Sequence, residues 1–352
     1  MNKKQTVFVG LSGGVDSGVA AARLLAQGYN VVGVFIKVWH PNFMVCNWEQ
    51  ERLDAMRVAA HLGIPFLTCD AENEYRDEVA QYFINSYTKG LVPNPDVMCN
   101  QYVKFGAFLR FAKDRGADFI ATGHYAQRID EKTGVQLHRG IDGEKDQSYF
   151  LWTLSSLQLA FSLFPIGDTC KKEIRIEAEK IGLPVATKKD SQGICFLGHI
   201  DIPEFLSHYT TLRPGDVLDE QGKIIGTHKG ALVYTVGQRH GFTLLTENIG
   251  RTPMFVVSKN IEANTVTVGT ERTVTKDGTQ MTLHDIVLRS DLKDGDIVEA
   301  QFRYRQKPFQ VEVRVPTKDI LIVIPHEKTE LPATGQSCVL YRGSHCIGGG
   351  II

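Results

Sequence analysis

Apolar residues in the first part of the chain gather into short runs, Thr6 to Val9, Val31 to Ile36 and Phe66 to Cys69. Each run is followed by a stretch of helical spacing: Gly18 to Ala26, Glu49 to His61 and Tyr75 to Tyr87. A run too short for a helix followed by a helical repeat reads as strand, then helix. Three such units in succession predict a parallel, doubly wound α/β sheet. Gly28 and Gly63 stand where helices should stop. A further unit, the helix Val103 to Arg115, Gly116 and the strand Phe119 to Thr122, continues the rhythm, and helical spacing persists to about Leu183. Ligands of such sheets bind beyond the carboxyl ends of the strands, so the chemistry is expected in the loops that follow them.

Past about Ile202 the rhythm becomes one of short alternating strands, parted by turns such as Asp219-Glu220-Gln221-Gly222 and Lys276-Asp277-Gly278. That pattern predicts small β-rich domains. We therefore expect an α/β catalytic domain over 1–204, a small central domain over 205–274 and a C-terminal β-barrel over 275–352.

Composition narrows the partners. With 352 residues, 43% of them hydrophobic and 22% charged, the chain can bury more than one core. Lys and Arg total 39 against 40 Asp and Glu, so contact with nucleic acid has to come from a local patch. Seven cysteines, an odd and scattered number, make no disulfide framework and suit a reducing compartment. Met1-Asn2-Lys3-Lys4-Gln5 runs into the first strand without an apolar leader, and no run is long enough to span a bilayer. These features predict a cytoplasmic protein with no membrane partner.

The first strand ends in Gly10-Leu11-Ser12-Gly13-Gly14-Val15-Asp16-Ser17 and opens a helix. Backbone N–H groups, two hydroxyls and the positive end of a helix converge there, as an anion requires. No Lys precedes the final Ser as in a Walker loop, and the glycines do not read GxGxxG. Gly13-Gly14 lets the backbone approach a pyrophosphate closely. Asp96 and Cys99 lie in a Pro-rich stretch before the helix starting near Val103, where a helix N-terminus would favour thiolate. Taken alone, Cys99 and Cys195 read as core thiols before they read as reactive ones, and Asp96 reads equally as a turn residue. With no CxxC pair, a zinc or iron–sulfur site is not expected. Phe302-Arg303-Tyr304-Arg305-Gln306-Lys307 alternates, so a strand there would put Arg303, Arg305 and Lys307 on one face, either tracking phosphates or lining a barrel wall.

The loop resembles the SGGxDS signature of the PP-loop ATP pyrophosphatases. Within that group the whole chain is similar to the tRNA-uridine 2-sulfurtransferases of the MnmA type. The resemblance is carried by Asn94-Pro95-Asp96-Val97-Met98-Cys99-Asn100, Thr122-Gly123-His124-Tyr125-Ala126, Lys145-Asp146-Gln147-Ser148-Tyr149-Phe150-Leu151, Ser191-Gln192-Gly193-Ile194-Cys195-Phe196 and Thr235-Val236-Gly237-Gln238-Arg239-His240-Gly241. It implies ATP with magnesium, held by Gly10 to Ser17 with Ile36 and Gly123, and no tightly bound metal or organic cofactor. It implies Cys99 as nucleophile, Cys195 as persulfide carrier and Asp96 as acid or base. It places tRNA or its target base at Asn94, Pro95, Asp96, His124, Lys145, Asp146, Gln147, Arg303, Tyr304 and Gln336. The implied partners are the anticodon stem-loops of Lys, Glu and Gln tRNAs and a persulfide donor such as a cysteine desulfurase or sulfur-relay protein.

Two positions depart from the family. Gly18 stands where a second Ser is common, which would remove one hydroxyl from the phosphate. Lys37-Val38-Trp39-His40-Pro41 stands where more acidic character is expected. Cys46, Cys69, Cys170, Cys338 and Cys346 match no sulfur-relay position and read as structural. Two rivals remain at this stage: an amide-forming ligase using the same loop, and an RNA-binding thiol switch.

Overall fold

The computed structural model describes residues 4–44, 48–132, 134–190, 193, 195, 198, 200–245 and 253–352. Cys46, Ser191, Gln192, Ile194 and Phe196 lie outside the described residues.

Strands β1 (Thr6–Gly10), β2 (Asn30–Lys37), β3 (Phe66–Asp70), β4 (Phe119–Ala121) and β7 (Ser162–Leu163) form a parallel sheet in the order β3-β2-β1-β4-β7. The interiors of β1 and β2 are buried because both faces carry helices, which is why their sequences read as unbroken apolar runs. Helices α1 (Val15–Ala26) and α2 (Trp48–Leu62) follow β1 and β2. Gly28 and Gly63 end these helices at φ 91° and 65°. The chain leaves β1 toward β2 on one side and reaches β4 on the other, so a crevice opens between the loops after β1 and β4.

Two expectations fail in this region. The helix expected from Val103 begins at Pro95: Asn94 caps it by accepting the Val97 N–H, and Pro95 occupies the first turn, where its missing N–H costs nothing. It runs as α over Pro95–Met98, π over Cys99–Ala107 and α again over Phe108–Lys113. The helical spacing expected up to Leu183 is interrupted by a hairpin, β5 (Ala126–Glu131) and β6 (Gly134–Arg139), before the helix Lys171–Lys180.

The middle of the chain folds as a sheet in the order β10-β9-β8-β12-β11, comprising β8 (Gly215–Leu218), β9 (Ile224–His228), β10 (Phe242–Leu244), β11 (Phe255–Asn260) and β12 (Thr265–Gly269). Its core takes in Phe83, Ile84 and Tyr87 from the helix Gln81–Thr88 of the first domain. The C-terminal strands are β13 (Met281–Leu288), β14 (Ile297–Gln301), β15 (Phe309–Thr317), β16 (Ile320–Pro325), β17 (Ser337–Arg342) and β18 (His345–Ile351). They close a six-stranded antiparallel barrel through the β13–β18 pairing. The β5–β6 hairpin joins that sheet where His138 meets His345. The barrel also clamps the Asn94 loop: Val92 N donates to the Thr334 carbonyl at 2.9 Å and the Gln336 amide donates to the Val92 carbonyl at 3.3 Å.

The strand expected at 302–307 is absent. β14 stops at Gln301, and the Gln306 side chain accepts from the N–H groups of Phe302 and Arg303, closing a turn in which Arg305 sits at φ 63°. The alternation that placed Arg303, Arg305 and Lys307 on one face therefore has no strand beneath it.

Candidate active site

A cavity of about 770 Å³ opens at the β1–β4 crevice. Its lining includes Gly10, Leu11, Ser12, Gly14, Val15, Asp16, Ser17, Ile36 and Gly123, and with them Asp96, His124, Lys145, Gln147, Cys195 and Tyr304. Thus the cavity gathers most of the residues expected to hold nucleotide with several of those expected to meet RNA.

The loop is shaped from within. Ser17 Oγ accepts from Ser12 N at 3.2 Å and lies 3.3 Å from Ser12 Oγ, pulling the turn into a cradle. Gly13 adopts φ 70°, and a Cβ there would stand 2.6 Å from the Glu51 carbonyl. Gly123 is needed for space: its Cβ would meet Ser17 N at 2.7 Å and the Asp16 carbonyl carbon at 2.8 Å. At Gly18, a Cβ would approach Leu183 and Val58. That position faces packing, so a Ser hydroxyl there would not complete the phosphate cradle.

Cations surround the cradle, each held by a carboxylate. Lys171 Nζ lies 2.7 and 2.8 Å from the Asp16 carboxylate oxygens and 2.9 Å from Asp190. Asp190 also receives Lys145 at 3.1 Å and Arg175 at 2.5 Å. Lys188 donates to the Gly13 carbonyl at 3.0 Å and to Asp54 at 2.8 Å. Burial opposes ionisation of Asp190, but hydrogen bonds and charge from Lys171 and Lys145 outweigh it and hold the carboxyl at about 2. Sequence reading missed Lys171, Lys188 and Asp190. They come from segments remote in sequence, and no local spacing marks them. Among the described residues no cluster of three or more His, Cys, Asp or Glu side chains could hold a metal ion. With Asp16 and Asp54 already engaged by lysines, these side chains offer magnesium no cage of their own.

Farther from the loop, Cys99 Sγ donates to Cys195 Sγ at 3.4 Å. Cys99 is fully buried, and burial together with its bond to Cys195 pushes its thiol well above the ordinary value. Of the two thiols, the downward shift falls on Cys195 and not on Cys99, where it was expected. Cys195, partly exposed on the cavity wall, is lowered by the Cys99 S–H, against burial, with help from Lys104. Asp96 Oδ1 accepts the Cys195 N–H at 2.8 Å and Tyr75 donates to the Cys195 carbonyl at 2.9 Å, fixing the backbone of the loop. Burial raises the Asp96 carboxyl. Cys69, Cys338 and Cys346 are buried away from this pair; burial lifts Cys69 to about 12.

The residues expected to contact RNA divide. His124 is buried, with Nδ1 2.7 Å from Thr122 Oγ1 and Nε2 3.5 Å from Lys104. Gln147 accepts the Tyr125 N–H at 3.0 Å. The Asp146 carboxylate is buried and accepts from Gly140 N, Ser148 N, Ser148 Oγ and Arg139, so it holds the loop's shape. Tyr304 packs against Phe150 with ring centroids 4.6 Å apart and reaches the cavity from the barrel. Arg303 pairs with Glu330 at 2.6 Å. Gly13, Asn94, Pro95, Cys99, Asp146, Arg303 and Gln336 are not on the cavity lining.

A parallel sheet opened at its switch point by a glycine-containing loop, with a cysteine on the wall of the same cavity, fits a nucleotide-binding enzyme domain of the HUP type. The family described as tRNA methyl transferase HUP domain matches residues 5–199, its PRC-barrel domain 203–270, and an aminomethyltransferase beta-barrel domain 279–352. A tRNA-specific 2-thiouridylase MnmA 2 of Aliarcobacter butzleri is 44% identical over 100% of this chain and 99% of that protein. The tRNA-specific 2-thiouridylases MnmA of Enterococcus faecalis and Staphylococcus saprophyticus are 42% and 44% identical, over 100% of this chain and 96% of theirs. Among solved structures, a 4-thiouridine synthetase–RNA complex with bound ATP has a TM-score of 0.38 at 21% identity, over 58% of this chain and 50% of that one. The chain belongs to the MnmA family of tRNA-specific 2-thiouridylases.

Proposed function

We propose that this enzyme replaces O2 of the wobble uridine of tRNA with sulfur, using ATP for activation and a Cys195 persulfide as sulfur carrier. The observation that carries the reading is the 3.4 Å contact between Cys99 and Cys195 at a cavity that also holds the Ser12–Ser17 cradle. Neither methyl transfer, named in the family description, nor amide formation needs sulfur relayed between two thiols.

ATP lies with its pyrophosphate end on Gly10 to Ser17 and its base against Ile36, while Gly123 lets the nucleotide approach. O2 of the uridine attacks the α-phosphorus, pyrophosphate leaves, and N3 gives up its proton. Asp96, raised by burial, is placed to accept that proton and return it later. The terminal sulfur of the Cys195 persulfide bonds to C2 and AMP departs. Cys99 then attacks Cys195 Sγ, closing the sulfur separation from 3.4 Å to a disulfide of about 2.05 Å. The sulfane sulfur is reduced to the thiocarbonyl and the two thiols are oxidised, so an external thiol resets the pair. Asn94 and Pro95 position the Asp96 turn against the base. Lys145, Gln147 and His124, with Arg303, Tyr304 and Gln336 from the barrel side, serve tRNA contact, the buried Asp146 acting through the loop it shapes. Magnesium travels with the nucleotide phosphates. The reading includes anticodon stem-loops of Lys, Glu and Gln tRNAs and a cytoplasmic persulfide donor; no helix among the described residues is long and apolar enough to cross a membrane.

A single turnover with isotopically labelled donor, followed by non-reducing peptide mapping, tests it. Wild type should end with a Cys99–Cys195 disulfide and labelled 2-thiouridine. Cys99→Ser should keep label on Cys195 without product, and Cys195→Ser should load none. Label retained on Cys99 in Cys195→Ser would reverse the two roles.

A further inference from the structure

We propose that Lys104 is a third catalytic side chain of the thiol pair: its ammonium pairs with Cys195 as the sulfur nucleophile, and Thr122 and His124 hold Lys104 in place. This deepens the sulfurtransferase reading and rests on it for the persulfide that Cys195 attacks.

Helix geometry supplies the first argument. Five residues along an α-helix turn by roughly 140° beyond a full circle, which would carry Lys104 away from Cys99. Cys99 and Lys104 instead lie within the π-helical stretch Cys99–Ala107, ending with the Phe108 N–H on the Val103 carbonyl. A π-turn spans i to i+5, so it brings these two residues toward the same face. The wider turn thus carries the ammonium toward the side of the buried thiol, where Cys99 Sγ donates to Cys195 Sγ and Lys104 and Cys195 share the cavity wall.

The second argument is the support behind Lys104. With Lys104 donating toward His124 Nε2 at 3.5 Å, the imidazole carries its proton on Nδ1 and donates it to Thr122 Oγ1 at 2.7 Å. Burial and the neighbouring Lys104 both hold His124 neutral, so it accepts from the lysine without competing as a second cation. Burial alone would lower Lys104, but Cys195, Cys99 and Asp96 around it raise it, keeping the ammonium charged. Among the described residues, Cys99 and Asp96 from one helical run and Tyr75 from another bond to Cys195, and Lys104 is a cation whose charge reaches it.

In the loading step the Cys195 thiolate attacks the terminal sulfur of a donor persulfide. A new S–S bond forms at Cys195, the donor's S–S bond breaks, and the donor leaves as a thiolate. No proton is transferred; Lys104 stays protonated and moves its hydrogen bond to the newly placed sulfur.

Alkylation by iodoacetamide across pH, with Cys99 and Cys195 quantified separately by peptide mapping on the full chain, tests the proposal without ATP, tRNA or donor. Lys104→Met should raise the Cys195 midpoint by about one pH unit or more and slow its alkylation at neutral pH by about tenfold, while Lys104→Arg should stay near wild type. An unchanged midpoint in Lys104→Met overturns the proposal, as does Lys104→Arg losing as much as Lys104→Met, since packing and not charge would then set the thiol. Should Lys104→Met fold poorly, Thr122→Val supplies the second measurement: a raised Cys195 midpoint with ATP affinity within about twofold of wild type supports the relay, and an unmoved midpoint overturns it. Loss of ATP–pyrophosphate exchange in wild type would sink the adenylation reading and leave this alkylation result standing.

Discussion

Gly123→Ala adds one methyl at the contact between the β4 loop and the start of α1. Its φ is not in the left-handed region, so alanine meets no backbone strain there and the cost is steric alone. The new Cβ would lie 2.7 Å from Ser17 N and 2.8 Å from the Asp16 carbonyl carbon, both backbone atoms, where ordinary contact begins at 3.4 Å. The start of α1 and the β4 loop must therefore part by about 0.7 Å, along the line between two sides of the phosphate cradle. Overpacking of this kind costs about 1–3 kcal/mol of stability. A displacement approaching 1 Å at a positioned reactant costs on the order of 10²-fold in rate. Calorimetric ATP binding and tRNA-dependent ATP–pyrophosphate exchange measure the second effect, and thermal unfolding the first. Gly28→Ala is the control: it sits at φ 91° with open space around the added methyl. That variant should lose about 1 kcal/mol or more of stability with unchanged exchange. If Gly123→Ala exchanges at the wild-type rate, the cradle is not set by this contact and the nucleotide sits elsewhere.

Lys171→Met removes the ammonium that bridges Asp16 and Asp190; a charged hydrogen bond of about 1.5–3 kcal/mol to phosphate corresponds to roughly 10- to 150-fold weaker ATP binding, read by calorimetry. Asp190 is held at about 2, below its unfolded value of about 3.9, so its contribution is complete above that value and lost as pH falls toward 2. The difference in thermal stability between wild type and Asp190→Asn should be flat above about pH 4 and close below it. Arg303→Ala should lower the log–log salt slope of tRNA binding by about one unit. An unchanged slope would leave Glu330 as the partner that defines Arg303.

The parallel sheet was legible because strands covered on both faces are apolar throughout, as β1 and β2 are. The anion loop was legible because its residues are contiguous. Asn94-Pro95 carried the signs of a helix start, an Asn cap and a Pro in the first turn, but the proline was read as a loop marker, which displaced the helix by two turns. The hairpin at 126–139 pairs with itself, and it was hidden because its strands, largely exposed or half-buried, carry few apolar residues to mark an alternation. The paired state of the thiols was hidden for another reason: the acidity of Cys195 depends on Cys99 and Lys104, nearly a hundred residues away. Arg303 to Lys307 misled because alternation also arises in a turn closed by a side chain, here Gln306.

The β5–β6 hairpin has a consequence for synthesis on the ribosome. It leaves the ribosome within the first domain, yet its partner at His345 is about 200 residues behind it. At roughly 5–20 residues per second, the edge of β6 waits on the order of 10–40 s for the barrel strand that meets it at His138. During that interval a newborn first domain presents an unpaired β ribbon, the kind of edge on which neighbouring chains on a polysome can pair. Completion of the last strand is then what seals the first domain.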